Sequence, residues 1–390
     1  MQRKVIKILF IFLSILILVV SFLLFFYKEE EPTYFDSINA IEVTPSSDIF
    51  AVGINNANDG EISKAKVARY DSKQEKIWEK VYNKGYSSKF NDIVYDEEEI
   101  VFVGSYEATK EDHKNRIETA IVLKYDLDGD LIFEKEFKSY YNTKFSSVFV
   151  MDNGYIVSGT GEKNGKKIGV LVKYNTDGTL DWKKKFSDGD NIKFNDVIII
   201  SDFIYVVGSK NTNQGLIAKY DMDGNLLDTT TSDGVSSYGF SSITLIDSNL
   251  VVTTGKQVDS NKTDAMLVRY DLDLNYLNEA THKLKDSSFF RKVVVDSNQD
   301  LLVLGTAREI KKDKIIHHSF VGKYRSNLEK AQVVNYYNDT DDYHDFGQAI
   351  CKLIRQSFFF LIFHRRTLHL IGCVFNLRND ICIFFTVFII

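Results

Sequence analysis

Three markers recur in fixed order along this chain, and no other feature restricts its fold as strongly. A Phe opens each unit, at Phe35, Phe90, Phe145, Phe194, Phe240, Phe290 and Phe346. A Gly closes a short apolar run, at Gly53, Gly104, Gly159, Gly208, Gly255 and Gly305. A basic–Tyr pair follows, at Tyr70, Tyr125, Tyr174, Tyr220, Tyr270 and Tyr324, with successive spacings of 55, 49, 46, 50 and 54 residues. Repeats of this length are units that cannot bury their own apolar faces and must stack on their neighbours.

Each unit divides into four strand-sized pieces. In the third they are 145–152, 154–159, 168–175 and 179–186, each rich in β-branched and aromatic residues and flanked by turn residues. No segment between 33 and 346 sustains a helical period. Four strands per unit, repeated six or seven times, predict an all-β fold, a β-propeller of four-stranded blades. The first and second strands are the more apolar and belong near the ring's interior. The fourth mixes Lys and Glu with aromatics, as in "LDWKKKF", which suits an outer edge where charge resists sheet-to-sheet association.

The segment "KYDLDGDLIFEKEF" and its equivalents place an Asp-rich loop between the third and fourth strands. Calcium coordination by an EF-hand needs Asp-x-Asp-x-Asp-Gly and a Glu at position twelve. Here Gly stands fourth, and the twelfth residue from Asp126 is Phe137. Asp-Gly also supplies the positive φ that a tight hairpin turn requires, so the loop reads as a turn.

Residues 8–27, "ILFIFLSILILVVSFLLFFY", are uncharged and long enough for a helix to span a bilayer. They lack the short apolar core and small-residue cleavage site of a signal peptide. Arg3, Lys4 and Lys7 precede them, which puts 1–7 in the cytoplasm and the body outside. The expected organisation is a basic segment 1–7, a single transmembrane signal-anchor helix 8–27, a linker 28–34, propeller repeats 35–345, and a last unit 346–390. The net charge is −6, but the two ends are basic, and residues 28–350 carry −13. So acidic a body argues against a nucleic-acid partner. No Cys occurs before residue 351, so the body uses no disulfides.

The last forty residues depart from the repeat. Apolar residues fill 25 of the 40 positions, and no Gly-closed strand or K-Y-D-x-D-G hairpin can be read there. The tail fits a shifted reading frame replacing a seventh blade, a degenerate seventh blade, or a membrane-associated appendage. The ring is accordingly seven-bladed with a defective last blade, or six-bladed.

The pattern K-Y-D-x-D-G-x-[LI]-x-W-x-K-x-F resembles the repeats of bacterial exported propellers of the quinoprotein-like (PQQ-like) type. The resemblance covers about 35–346. Quinone-binding members of that group use a Trp docking set, an adjacent Cys pair and acidic ligands. This chain has Trp only at 78 and 182 and no Cys in the body, so the resemblance implies the fold and no quinone cofactor.

Chemistry-bearing motifs are sparse. G-x-S-x-G and H-E-x-x-H are absent. The run Gly159–Lys167 has Thr160 and Lys167 where a phosphate loop needs Gly and Ser/Thr, and reads as a hairpin. His317 and His318 are adjacent, a poor chelate on a strand, and read as solvated loop residues. Asp341, Asp342, His344 and Asp345 read as an inter-blade loop. Ser87–Ser88, Ser236–Ser237 and Ser287–Ser288 precede opening aromatics, where short hydroxyls satisfy backbone groups at blade junctions.

No catalytic or metal residue is assigned. Recognition is expected on the variable loops between second and third strands, 106–119 and 307–319, with candidate contacts Lys110, His113, Arg116, Lys311, Lys312 and Lys314. The function expected is non-catalytic binding or scaffolding of a protein, envelope polymer or small ligand at the membrane. The alternatives are a propeller hydrolase or lactonase, which needs polar side chains converging on the central axis, and the sensory ectodomain of a membrane complex.

Overall fold

A computed structural model describes residues 37–57, 62–108, 117–211, 213–232, 238–259, 262–311, 314–335, 346–351, 357–364, 367–375 and 382–389, with the backbone alone from residue 331 onward. The apolar segment 8–27 and Phe35 lie outside them, and among the described residues no helix is long and apolar enough to cross a membrane.

The chain is an all-β propeller. Six four-stranded blades occupy 37–335, each an antiparallel meander with strands in sequence order. In the third blade the strands are Tyr141–Met151, Gly154–Lys163, Lys166–Tyr174 and Leu180–Phe186. The first three are longer than the apolar runs predict, because the ladder continues past the last apolar residue. The first strands of successive blades are Ser37–Val43, Ser87–Asp96, Tyr141–Met151, Ile192–Ile200, Ser242–Ile246 and Ser287–Val295. They pack against one another in that order and form the inner wall. A seventh four-stranded sheet follows, made of Phe346–Cys351, Ser357–His364, Thr367–Phe375 and Cys382–Ile389. Its first strand lies against both Ser287–Val295 and Ser37–Val43, between the sixth blade and the first.

Burial refines the expected layering. The second and third strands are the most buried, as in Glu99–Glu107 and Glu118–Asp126. The first strand is innermost but only alternately buried. The fourth is largely exposed.

The three sequence markers meet in space. Phe90, Phe145, Phe194 and Phe290 stand directly across the ladder from Gly104, Gly159, Gly208 and Gly305. A bulge follows the Phe in each of these four blades, and the first strand is drawn in so closely that a Cβ on Gly208 would lie 1.8 Å from the Lys193 carbonyl oxygen. The marker Tyr meets the Phe edge-on, at 6.4 Å for Phe145–Tyr174 and 5.7 Å for Phe290–Tyr324. In the first blade the residue opposite Gly53 is Ile38. Phe35, expected in that role, is three positions too early.

The Asp-rich loops are hairpin turns. Gly129, Gly178 and Gly224 have φ of 86°, 75° and 71°. Asp221 Oδ1 accepts from the backbone N–H of Asp223 at 3.0 Å and of Asn225 at 2.7 Å, so that carboxylate oxygen closes its own turn. Leu274 takes the Gly position at φ 63° and is buried, its packing offsetting a strained backbone.

Outer strands are fastened to the next blade. Trp78 Nε1 donates to the Leu127 carbonyl at 2.9 Å, and Trp182 Nε1 to the Met222 carbonyl at 3.2 Å, each on the following blade's Asp-Gly turn. The last residue of the fourth strand packs on the next opening Phe: Tyr82 on Phe90 at 5.6 Å, Phe137 on Phe145 at 5.4 Å, and Phe186 on Phe194 at 6.1 Å. At the seam between the fifth and sixth blades His282 takes that place, 6.4 Å from Phe290 with an interplanar angle of 18°.

Candidate functional site

In a propeller, the residues that reach the central axis come from the inner strands. Here the two positions after the opening Phe, or after Ile38 in the first blade, supply two of them. The first of these positions is Asn39, Asn91 and Asn195 in the first, second and fourth blades. Their side-chain amides donate to the carbonyls of Phe90 (2.6 Å), Phe145 (2.6 Å) and Phe240 (2.8 Å) on the next blade. The second position is Ala40, Asp92, Ser147, Asp196, Ser242 and Lys292.

From Asp92 to Ser242 these side chains form a hydrogen-bonded chain across four blades, which Lys292 extends to a fifth. Ser147 Oγ lies 2.7 Å from Asp92 Oδ2 and 2.8 Å from Asp196 Oδ1. Ser242 Oγ donates to Asp196 Oδ2 at 2.8 Å. The backbone N–H of Val148 donates to Asp92 Oδ2 at 3.0 Å, and that of Ile243 to Asp196 Oδ2 at 3.2 Å. Lys292 Nζ stands 3.7 Å from Asp196 Oδ2. A hydroxyl has one hydrogen, so Ser147 meets both carboxyls favourably only when one of them carries a proton. Burial raises the Asp92 carboxyl, and Asp196 adds to the rise against the opposing Lys292 charge. Burial pulls Lys292 down, but Asp196 and Asp92 outweigh it and hold the ammonium above the ordinary lysine value. Glu42 joins the group from the first blade. Burial, then the neighbouring Asp92 charge, push its carboxyl up to about 8, so it is protonated at neutral pH.

Chemically this is a set of inter-blade clamps. Each Asp is bound by the next blade's hydroxyl and backbone N–H. Among the described residues no group of three or more His, Cys, Asp or Glu is placed to hold a metal ion. Nothing in the Phe–Gly–Tyr punctuation points to these residues. The signal is the dipeptide after Phe, which alternates Asn-Asp, Ser-Ser, Asn-Asp, Ser-Ser over the second to fifth blades.

The loop residues expected to make contacts are only partly placed. Lys110, His113, Arg116 and Lys312 lie outside the described residues. Lys311 ends the strand Leu301–Lys311, exposed, 3.6 Å from Glu309. The Lys314 backbone opens the next strand, directly opposite Lys311. His318 is not a solvated loop residue as expected. It lies on the strand Lys314–Tyr324, buried, with Nε2 3.2 Å from Glu309 Oε2. The junction serines behave as expected: Ser88 Oγ accepts from Ala65 N at 2.9 Å and Ser288 Oγ from Ala265 N at 3.0 Å. The Gly159–Lys167 run is a strand and hairpin turning at Asn164–Gly165. The cluster at 341–345 and the Ser236–Ser237 pair lie outside the described residues.

The class this architecture defines is the β-propeller. No family profile matches the chain, and no curated protein matches it in sequence. Among solved structures it is similar to a prolyl endopeptidase, with a TM-score of 0.54 at 10% identity, over 91% of this chain and 50% of that one. It is similar to a puromycin hydrolase with a TM-score of 0.53 at 9% identity, over 88% of this chain and 52% of that one. The chain thus spans about half the length of either hydrolase. A Bacteroides caccae protein of unknown function aligns over 73% of this chain and 94% of its own, at 15% identity and a TM-score of 0.46. At these identities the likeness is one of fold.

Proposed function

We propose that this chain is a non-catalytic binding or scaffolding propeller, held at a membrane by residues 8–27 with its body on the extracytoplasmic side. The blades follow the quinoprotein-like repeat without its quinone-holding residues, and the seventh sheet completes the ring. The observation that carries the non-catalytic reading is the bonding of the inner carboxylates. Asp92 and Asp196, the acids best placed to act on a ligand at the axis, are bound by serine hydroxyls and backbone N–H groups of the neighbouring blades. A fold is not an activity, and the frame here is constant while its loops differ in length and charge.

The membrane reading is tested by fractionating cells that express the full chain. Retention in the membrane pellet after alkaline wash is expected, and release into the soluble fraction contradicts it. Capture experiments with the full chain in detergent should return a macromolecular partner. A second reading, a hydrolase, draws on the likeness to two structures named as hydrolases. Incubation with proline-containing peptides and with lactones separates the two, since turnover lost on Asp196→Asn would establish the enzyme.

A further inference from the structure

We propose that the end of the inner wall nearest the second-to-third-strand turns is a binding site for an oxyanion-bearing ligand, phosphate or carboxylate, held by Lys144 and Lys193 with Lys89 and Lys167 at its margin. This deepens the binding-module reading and rests on it for its biological sense.

The residue before the opening Phe is Lys in three consecutive blades: Lys89, Lys144 and Lys193. All three sit at the same ladder position, opposite Ser105, Thr160 and Ser209 near the end of the second strand. The register places that position on the face carrying the turns between second and third strands. The strands bearing them, Ser87–Asp96, Tyr141–Met151 and Ile192–Ile200, are neighbours on the inner wall. The like charges therefore stand side by side on adjacent blades, and each lysine is half-buried. Lys167, beside the Asn164–Gly165 turn, adds a fourth, exposed cation.

The acids nearby already have partners, and only Glu118 pairs with a lysine of the group, the marginal Lys89. Glu118 Oε1 is 3.2 Å from Lys89 and accepts from Ser105 Oγ at 3.1 Å. Glu162 accepts from Asn142 Nδ2 at 3.1 Å. Asp188 and Asp190 pair with Lys210 at 2.7 and 3.2 Å. Among the described residues no carboxylate comes within ion-pair distance of Lys144 or Lys193. Burial, then the ammoniums of Lys89, Lys167 and Lys193, hold Lys144 below the ordinary lysine value in spite of Glu118. Burial, then Lys167, does the same to Lys193. Half-buried cations such as Lys144 and Lys193, with no carboxylate in ion-pair distance, oppose folding. An incoming oxyanion supplies the missing charge, and lysine ammoniums bind such groups as point charges. On a body of net charge −13 between residues 28 and 350, this local excess of positive charge is otherwise unexplained.

The test is calorimetric titration of the full chain, in neutral detergent, with inorganic pyrophosphate in one arm and citrate in the other. Binding to at least one probe is expected, weakening as salt rises. Stronger binding of pyrophosphate marks a phosphate site, and stronger binding of citrate a carboxylate site. Lys144→Gln with Lys193→Gln should weaken binding at least about tenfold, the scale of a lost charged hydrogen bond. Lys144→Arg with Lys193→Arg should retain it. If the Gln pair does not fold, exposed Lys167→Gln serves as the neutralised variant and should weaken binding by a smaller factor. No binding of either probe in the millimolar range, or binding indifferent to both salt and neutralisation, overturns the proposal. Anion binding without any captured macromolecule would leave this site standing while removing the scaffold reading.

Discussion

His282 and Glu42 show how single residues make the ring sensitive to pH in opposite directions. His282 occupies a seam that elsewhere takes Tyr82, Phe137 or Phe186. It is buried against Phe290 and Phe320, and Nε2 finds no hydrogen-bond partner among the described residues. Burial, then Lys330, hold its pKa below 6.5, against a smaller pull from Asp264. Below about pH 6.5 the unfolded chain therefore binds the proton first, and stability falls as pH drops. His282→Phe should shrink this acid limb, seen as a Tm that declines less steeply from pH 6.5 towards 5, the buried His318 keeping its own share. Glu42 has the opposite sign. With its folded pKa raised from 4.5 to about 8, the native state keeps a proton that the unfolded chain has released. Stability then falls as pH rises through that window, and the loss is complete above it. Glu42→Gln should raise the Tm at pH 8.5 while leaving it little changed at pH 4.5. After allowance for partial exposure, the gain is about 1–2 kcal/mol. An unchanged pH profile in either variant would show that the group does not titrate on unfolding.

At the scale of the element, the repeat exists because strand contacts need it. The Gly that closes the second strand faces the bulge that follows the opening Phe, and a methyl group at Gly208 would strike the Lys193 carbonyl at 1.8 Å. Gly208→Ala should cost about 3 kcal/mol or more, read as a lower denaturant midpoint with unchanged slope. The Trp of the outer strand is a fastener between blades. Trp78→Phe keeps most of the ring but loses the bond to the Leu127 carbonyl, at a cost of about 1 kcal/mol. The same change at Trp182 should cost no more, its bond being longer at 3.2 Å. Hydrogen exchange at the Asp126–Asp130 turn would locate the loss, with Trp78→Phe raising exchange there and Trp182→Phe leaving it unaltered.

For the whole molecule, ring closure is the decisive event. The strand Phe346–Cys351 lies between the first strands of the sixth and first blades, so the chain's last sheet touches its first. Removing residues 346–390 would expose the flanks of both. Because each blade buries its faces on its neighbours, the truncated chain should lose its single cooperative melt and elute as aggregates on gel filtration. A truncated chain that stayed monomeric with an unchanged Tm would mean that six blades close without the seventh sheet. The aberrant composition of 351–390 does not prevent a sheet: "SFFFLIF" and "ICIFFTVFII" are rich in the aromatic and β-branched residues that strands favour, whatever their periodicity.

The sequence by itself determined the blade: its four strands, its Asp-Gly turns, its Phe, Gly and Tyr, and the place of the charged fourth strand. All of these are local, set by turn chemistry, strand propensity and the period of the markers. Only the tertiary structure decided what blades do to one another. The clamp of Asp92, Ser147 and Asp196 joins residues about fifty positions apart that no local rule connects, although the alternating dipeptide after Phe carries its trace. His318, read as a solvated loop residue, is buried because the strand runs on past the apolar core, a matter of ladder length that pattern alone does not set. The lysines at 89, 144 and 193 are ordinary strand residues in one dimension. They become neighbours because closing the ring brings equivalent positions of successive blades to the same height on one wall.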